Sequence, residues 1–397
     1  MLSNTIPLPY WRLSSFYFFN CAVLGAILPF WGLYLEKLDF SSQQIGYFVA
    51  IILASNIIAP NFWGWLTDRM NNRLAVIQWG TMFSLLSFLM VLFTTNYTLL
   101  ALIVFVSCFC WQGLNSQFEV ITLRFCSMES GSRYGKIRLW GSVGFIASVL
   151  ILGWLFELIS LFNLPILISI LLFCMWLSTM FLPKGDVSNQ AVVSDDESID
   201  GFWKILLKPA ILALFFATFL LKFSHGTYYT FFSIYVVEFG FSSIELGWLW
   251  SVAVIAEIGM FFVVHHFIAK FGIRFVFIFS LLAAVLRWAL ISVASDVLFV
   301  IIFSQLLHAL TFSSLHTVVL MYIKNNFGEK YQGQAVAFYC SFCVAAGGAL
   351  GASVSGYFWD WSQQGTFMMS SAVAFVATLI AWIYVKQLDY KRVASNN

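Results

Sequence analysis

The chain has 397 residues, of which 61% are hydrophobic, 19% aromatic and only 10% charged. A water-soluble domain carries about 25% charged residues, so a soluble enzyme, a nucleic-acid binder and a disordered scaffold are excluded before any motif is read. The formal net charge of +2 says little as a total, and its distribution along the chain says more.

One bilayer crossing needs about 20 apolar residues, and with a short loop each takes roughly 33, so the length accommodates about twelve. Apolar runs separated by turn signals predict crossings near residues 13–35, 43–66, 75–95, 98–123, 139–160, 164–182, 209–237, 244–269, 275–294, 297–323, 335–358 and 365–385. The first run is too long for the apolar core of a removable signal and is followed by further spans, so it is read as a retained helix. With the N-terminus inside, 17 of the 20 Lys and Arg residues fall on cytoplasmic ends and loops, Lys37 falls outside, and Lys222 and Arg287 lie within spans. The positive-inside rule then sets both termini in the cytoplasm. The polar stretch 183–208, with its acidic run Asp195, Asp196, Glu197 and Asp200, reads as a solvated cytoplasmic linker between an N-terminal six-helix bundle, 1–182, and a C-terminal one, 209–397.

The halves look like copies. Phe30 to Leu35 aligns with Phe231 to Val236, and the Phe40-Ser-Ser-Gln-Gln-Ile-Gly46 segment with Phe241-Ser-Ser-Ile-Glu-Leu-Gly247, both at an offset of 201 residues. Constant displacement by half a chain signals duplication. Six spans per half return the second copy to the starting side, so the expected fold is all-α, with twelve transmembrane helices in two parallel repeats. Transporters of that build hold substrate near the midplane between repeats. The seven Cys lie within or at the ends of apolar runs, and the C-x-x-C of Cys340 and Cys343 sits in a predicted helix without a second pair, so all are read as packing residues rather than metal or redox groups.

A charged side chain at the bilayer centre costs roughly 2.5–3.5 kcal/mol on insertion scales and normally pairs or faces an aqueous cavity, so polar intrusions mark candidate sites. Gln112, Asn115 and Glu119 fall on one stripe of the fourth span, and Arg138 opens the fifth. Glu119 and Arg138 are read as substrate-binding, with a structural ion pair or a snorkelling Arg as the alternative. In the second half Lys222 and His225 are i, i+3 neighbours in span seven, Glu257 is central in span eight and Arg287 in span nine, while His308 and His316 lie two turns apart on span ten. Lys222 and Arg287 against Glu257 leave a surplus of one positive charge, which would welcome a carboxylate. A snorkelling or neutral Lys222 is the alternative. Tyr228, Tyr229, Trp248 and Trp288 neighbour these groups and could stack a ring.

The chain carries no Gly-rich phosphate loop, no H-E-x-x-H and no G-x-S-x-G. Neither a cofactor nor a metal is expected, and the energy source is an ion gradient. Deep Glu and His residues suit protons, whose sites are tuned by burial and neighbours.

Gly64-Trp-Leu-Thr-Asp68-Arg69-Met-Asn-Asn-Arg73 resembles the G-x-x-x-D-R-x-x-x-R loop of the major facilitator superfamily, and Lys270-Phe-Gly-Ile-Arg274 is a remnant of it after span eight. The resemblance implies that Gly64, Asp68, Arg69 and Arg73 act in gating. Tyr134-Gly-Lys-Ile-Arg138-Leu-Trp-Gly-Ser-Val-Gly144-Phe resembles the segment entering span five of the lactose-permease-like proton symporters, and most closely their 3-phenylpropionate permease branch. That likeness implies that Glu119 and Arg138 hold substrate, and it matches Arg287 and His308 to a functional Arg and His. Where lactose permease has a Lys and a proton-carrying Glu beside that His, this chain has Gln305 and Thr311, so the proton site does not carry over. The segments His225 to Tyr229, Leu249 to Glu257 and Leu307 to His316 also resemble the phenylpropionate branch.

The expected function is proton-coupled uptake of a small organic substrate, an aromatic carboxylate such as 3-phenylpropionate, by alternating access across a bacterial-type inner membrane. Arg287 and Lys222 would attract the carboxylate, with Asn115 and Tyr228 in the substrate site. Glu257, His308, His225 and His316 are the proton-coupling candidates. Expected partners are substrate, protons and the lipid bilayer, with no nucleic acid and a monomeric state. The alternatives are a neutral sugar or nucleoside, or a membrane sensor that no longer transports; catalysis of a reaction is not expected.

Overall fold

The computed structural model describes residues 9–127, 133–182 and 199–385, and these are almost wholly helical. The acidic run from Asp195 to Glu197, with the rest of 183–198, and the basic Lys386, Lys391 and Arg392 lie outside the described residues. Six long helices come first: α1 (Tyr10–Glu36), α2 (Ser42–Met70), α3 (Arg73–Leu89), α4 (Tyr97–Ser127), α5 (Tyr134–Leu155) and α6 (Leu164–Met180). A short α7 (Ile199–Leu206) precedes α8 (Pro209–Glu238), α9 (Ser243–Phe271), α10 (Ile273–Val293), α11 (Leu298–Leu306), α12 (Leu315–Phe338), α13 (Gly347–Trp359) and α14 (Gln363–Tyr384).

Among the described residues, eleven helical stretches are long and apolar enough to cross a bilayer, and one of them, Leu298–Trp359, has 62 residues. At 1.5 Å per residue that is about 93 Å, far more than one crossing. It divides at Gly328, whose φ of 62° breaks the helical path, so the apolar segments comprise twelve crossings. Two π-helical turns interrupt the same stretch, Leu310–Ser314 and Tyr339–Ala346, where the sequence predicts uniform helix. Such turns leave local carbonyls and side chains re-aimed and recur at functional positions. The second turn contains the C-x-x-C: Cys343 is buried with its thiol on the Phe215 carbonyl (3.3 Å), Cys340 is exposed, and both are free of disulfides.

The repeated Phe-Ser-Ser segments prove to be helix starts. Ser242 and Glu245 form a reciprocal capping box at α9, with Glu245 N–H donating to Ser242 Oγ (3.2 Å) and Ser242 N–H to Glu245 Oε2 (2.8 Å). Ser41 and Gln44 repeat it at α2, at 3.3 and 3.0 Å. Each box satisfies two amide donors that a helix start leaves without intrahelical partners.

Contacts group the chain into two compact units. One holds residues up to Phe40 and from Ala54 into the linker; the other holds Ser41–Leu53 and the remainder. In the first unit α1 packs on α5 and α6, and α3 on α4 and α6; in the second α8 packs on α13 and α14, and α10 on α14. Both units bring one helix pair very close through glycine. A methyl on Gly25 would sit 2.8 Å from the Phe145 carbonyl oxygen, and one on Gly144 would overlap the Phe18 carbonyl. In the second unit methyls on Gly226 and Gly351 would overlap the backbone of Gly351 and Phe223. Small residues let membrane helices approach where lipid offers no hydrophobic drive to association.

The linker differs from the expected solvated stretch. Its end is the helix α7, with Phe202 buried against Phe327 (ring centroids 5.7 Å) and Phe338 (6.4 Å). Two apolar side chains one turn apart, Phe202 and Leu206, face its own unit, and the acidic run before it hides that pattern.

Candidate functional site

Arg287 lies in the middle of α10 with no exposed surface. Its guanidinium carbon sits 4.2 Å from the Tyr228 ring centroid and 4.6 Å from that of Trp288, so two aromatic faces flank the charge. Nη1 donates to His308 Nδ1 at 2.7 Å, and Nη2 to Gln305 Oε1 at 3.2 Å. The same Gln305 oxygen accepts the Tyr228 hydroxyl at 2.8 Å. On the far side of the imidazole, His308 Nε2 lies 2.7 Å from Glu257 Oε1, with both side chains largely buried. The Ser313 hydroxyl, in the first π-helical turn, donates to the Glu257 carbonyl (3.3 Å).

This chain of contacts fixes a tautomer. A guanidinium only donates, so His308 Nδ1 accepts and the ring proton sits on Nε2, directed at the Glu257 carboxylate. A doubly protonated imidazole would set an N–H against the Arg287 N–H. The cluster is therefore ordered as a relay of donors from Arg287 through neutral His308 to Glu257.

Lys222 is buried on α8, and its ammonium lies 4.4 Å from the Phe312 ring centroid; Phe312 in turn stacks on His308 at 5.5 Å. His225, one turn along α8, is fully buried, donates from Nδ1 to the Leu221 carbonyl (2.8 Å), and directs Nε2 at Thr311 Oγ1 (3.3 Å). Its ring centroid is 6.0 Å from that of His308. His316 faces a different neighbour, the Tyr339 hydroxyl, at 2.9 Å.

In the first unit Arg138 Nη1 donates to Glu119 Oε1 (2.7 Å) and to the Tyr134 hydroxyl (2.8 Å), while that hydroxyl also bonds Glu119. The pair is open: the Arg138 and Glu119 side chains are 56% and 36% exposed. Gln112 is tied to α2 through Asn56 and Ser55, so this part of the predicted stripe serves helix packing; Asn115 stays half-buried on the same helix. At the end of α2, Asp68 approaches Arg73 at 4.0 Å, Arg69 lies over the Trp65 ring, and Asn72 caps α3 by accepting from Ala75 N–H. A methyl on Gly64 would meet Gln117 Nε2 at 3.4 Å, an ordinary contact, so packing alone does not demand glycine there.

The structure thus joins Glu257, Arg287, His308 and Tyr228 directly, sets Lys222 and His225 beside them, and joins Glu119 with Arg138. Trp248 is corrected: it is 55% exposed, and the ring that packs against Tyr228 is Trp250, 4.9 Å away and buried. Two residues along a helix are about 200° apart, and a span that is apolar all round carries no signal of which face turns inward. Gln305, Phe312 and Tyr134 were not among the predicted site residues. Each lies within one turn of one, and that proximity was the available clue.

Twelve apolar crossings make this an integral membrane protein, and its family and relatives are transporters of small molecules, not enzymes. The chain matches the MFS_1 like family model over residues 10–369 and belongs to that family, as its loop and span-five motifs imply. It is 25% identical over 382 residues to a probable 3-phenylpropionic acid transporter of Escherichia coli (strain K12), covering 92% of this chain and 94% of that protein. It is 23% identical over 378 residues to a maltose permease of Geobacillus stearothermophilus, covering 94% and 93%. Among solved structures, the nucleoside transporter NupG superposes with a TM-score of 0.85 at 18% identity, over 95% of this chain and 99% of that one, a likeness of fold.

Proposed function

We propose that the protein is a proton symporter for a small aromatic carboxylate, working by alternating access in a bacterial inner membrane with both termini in the cytoplasm. The observation that carries this reading is the buried relay from Arg287 through His308 to Glu257, with the Lys222 ammonium beside it. Two cations and one carboxylate give the empty cluster one net positive charge. A proton on Glu257 alone raises it to two; a bound carboxylate alone brings it to zero. Proton and carboxylate together restore the empty value, and isolated charge imbalance inside a membrane is costly. A bound carboxylate and a proton on Glu257 offset each other's charge, so each favours binding of the other, which is the coupling that symport requires. Because Arg287 holds His308 neutral, Glu257 is the proton's seat and His308 positions it. The Tyr228 and Trp288 rings supply faces for the aromatic part, and Asp68, Arg69 and Arg73 form the cytoplasmic gate. The likeness to the E. coli probable 3-phenylpropionic acid transporter supports the substrate class.

Purified protein in liposomes, given an inward-directed proton gradient, should accumulate a labelled aromatic acid. Glu257→Gln should lower that accumulation at least tenfold while leaving exchange of internal for external acid running. Uptake indifferent to the gradient would overturn the reading.

A second reading is favoured by the open Glu119, Tyr134 and Arg138 cluster, whose paired donors and acceptors suit the hydroxyls of a neutral sugar or nucleoside. The name of the maltose permease relative supports it. Competition separates the two: aromatic acids should inhibit uptake in the first case, and sugars or nucleosides in the second.

A further inference from the structure

Helix α7 has three distinct ridges, each an i, i+4 pair. Phe202 and Leu206 are buried at 7% and 2% exposure, on a helix that packs against α8 and α12. About 100° further round, Trp203 and Leu207 are open, at 46% and 61%. Leu207 still continues the ridge, because its N–H donates to the Trp203 carbonyl at 3.0 Å. A further step of about 100° brings the exposed Lys204, followed by exposed Lys208 where the helix ends.

The helix is held tightly to its unit. A methyl on Gly201 would overlap the Tyr331 hydroxyl, so the tip of that side chain, from the α12 segment that follows Gly328, rests against the α7 backbone. Lys208, with ψ of 130°, turns the chain straight into Pro209 and α8. The exposed apolar Leu212 and Phe216 follow within two turns of that corner on α8, a helix long and apolar enough to cross a bilayer. Trp203 and Leu207 therefore lie exposed within a few residues of the start of an apolar crossing. A Trp and Leu ridge bordered by lysines is the arrangement that seats a helix at the headgroup boundary, ring and aliphatic chain inward and ammonium groups outward.

We propose that α7 is an interfacial anchor that rests its Trp203 and Leu207 ridge in the bilayer the protein spans and holds anionic lipid headgroups with Lys204 and Lys208. The linker between the two units is thereby fixed to the membrane surface at its second end. This does not rest on the substrate assignment.

A photoreactive benzophenone side chain in place of Trp203 or Leu207 tests it, in full-length protein reconstituted into phosphatidylcholine vesicles containing a minor fraction of phosphatidylglycerol. Irradiation should yield lipid adducts, detected by mass, with phosphatidylglycerol enriched over its bulk fraction; one Lys beside an anionic surface is worth about fivefold in local attraction. Lys204→Gln with Lys208→Gln should return the adducts to the bulk lipid ratio without removing them. Adducts to protein only, or no lipid adducts, would overturn the proposal, and so would enrichment that survives the double substitution.

Discussion

The two polar clusters differ in kind. In the first unit Glu119, Tyr134 and Arg138 form a triangle whose charged members are 36% and 56% exposed; in the second, Glu257 and His308 are 14% and 7% exposed and Arg287 is fully enclosed. An exposed ion pair is screened and contributes about 0–1 kcal/mol, whereas removing one partner of a buried set strands the others and costs about 3–5 kcal/mol. The same residue types thus serve as an adaptable contact in one place and as a fixed charge balance in the other. Burial decides which.

The largest effect is expected from Arg287→Met. It strands Glu257 and His308, so thermal unfolding in detergent should reveal a loss of about 3–5 kcal/mol, together with abolished uptake. A smaller loss would mean that Tyr228 and Gln305 re-pair and that the buried cluster is as adaptable as the open one. Next comes the frame that holds α8 in place. Gly351→Ala forces a methyl into the Phe223 carbonyl, within one turn of Lys222 and His225, and should cost about 1–3 kcal/mol by overpacking. Gly64→Ala, with ordinary contact only, should stay within about 0.5 kcal/mol.

His308→Gln sharpens the contrast further. A Gln oxygen can accept from Arg287 and its amide can donate to Glu257, reproducing the neutral tautomer. Gradient-driven uptake should therefore stay within a few fold of the parent, while His308→Leu should lose it; equal loss in both would assign the proton to the imidazole. In the open cluster, Glu119→Gln should shift unfolding by no more than about 1 kcal/mol even where the apparent substrate affinity changes.

Much of this was legible in the chain. Glu257, Arg287 and His308 stood out because an ionisable group in an apolar span must be compensated, a constraint that needs no coordinates. Glu119 and Arg138 followed from helix periodicity and the span-five motif. Facing was not legible: Trp248 and Trp250 are equally plausible in a helix apolar all round, and only packing distinguished them. Gln305 was noticed as a departure from a familiar pattern, yet its work, one oxygen bridging Tyr228 and Arg287, depends on three helices meeting.

The sequence by itself determined the solvent, the number of crossings, the duplication and the identity of the intramembrane charges, because each follows from local hydropathy or from a cost that any membrane imposes. Only the tertiary structure decided which charges pair, that His308 is held neutral between Arg287 and Glu257, and that α7 folds onto α12. Those outcomes depend on distances between residues far apart in the chain, and hydrogen-bond direction exists only once donor and acceptor have been brought within reach.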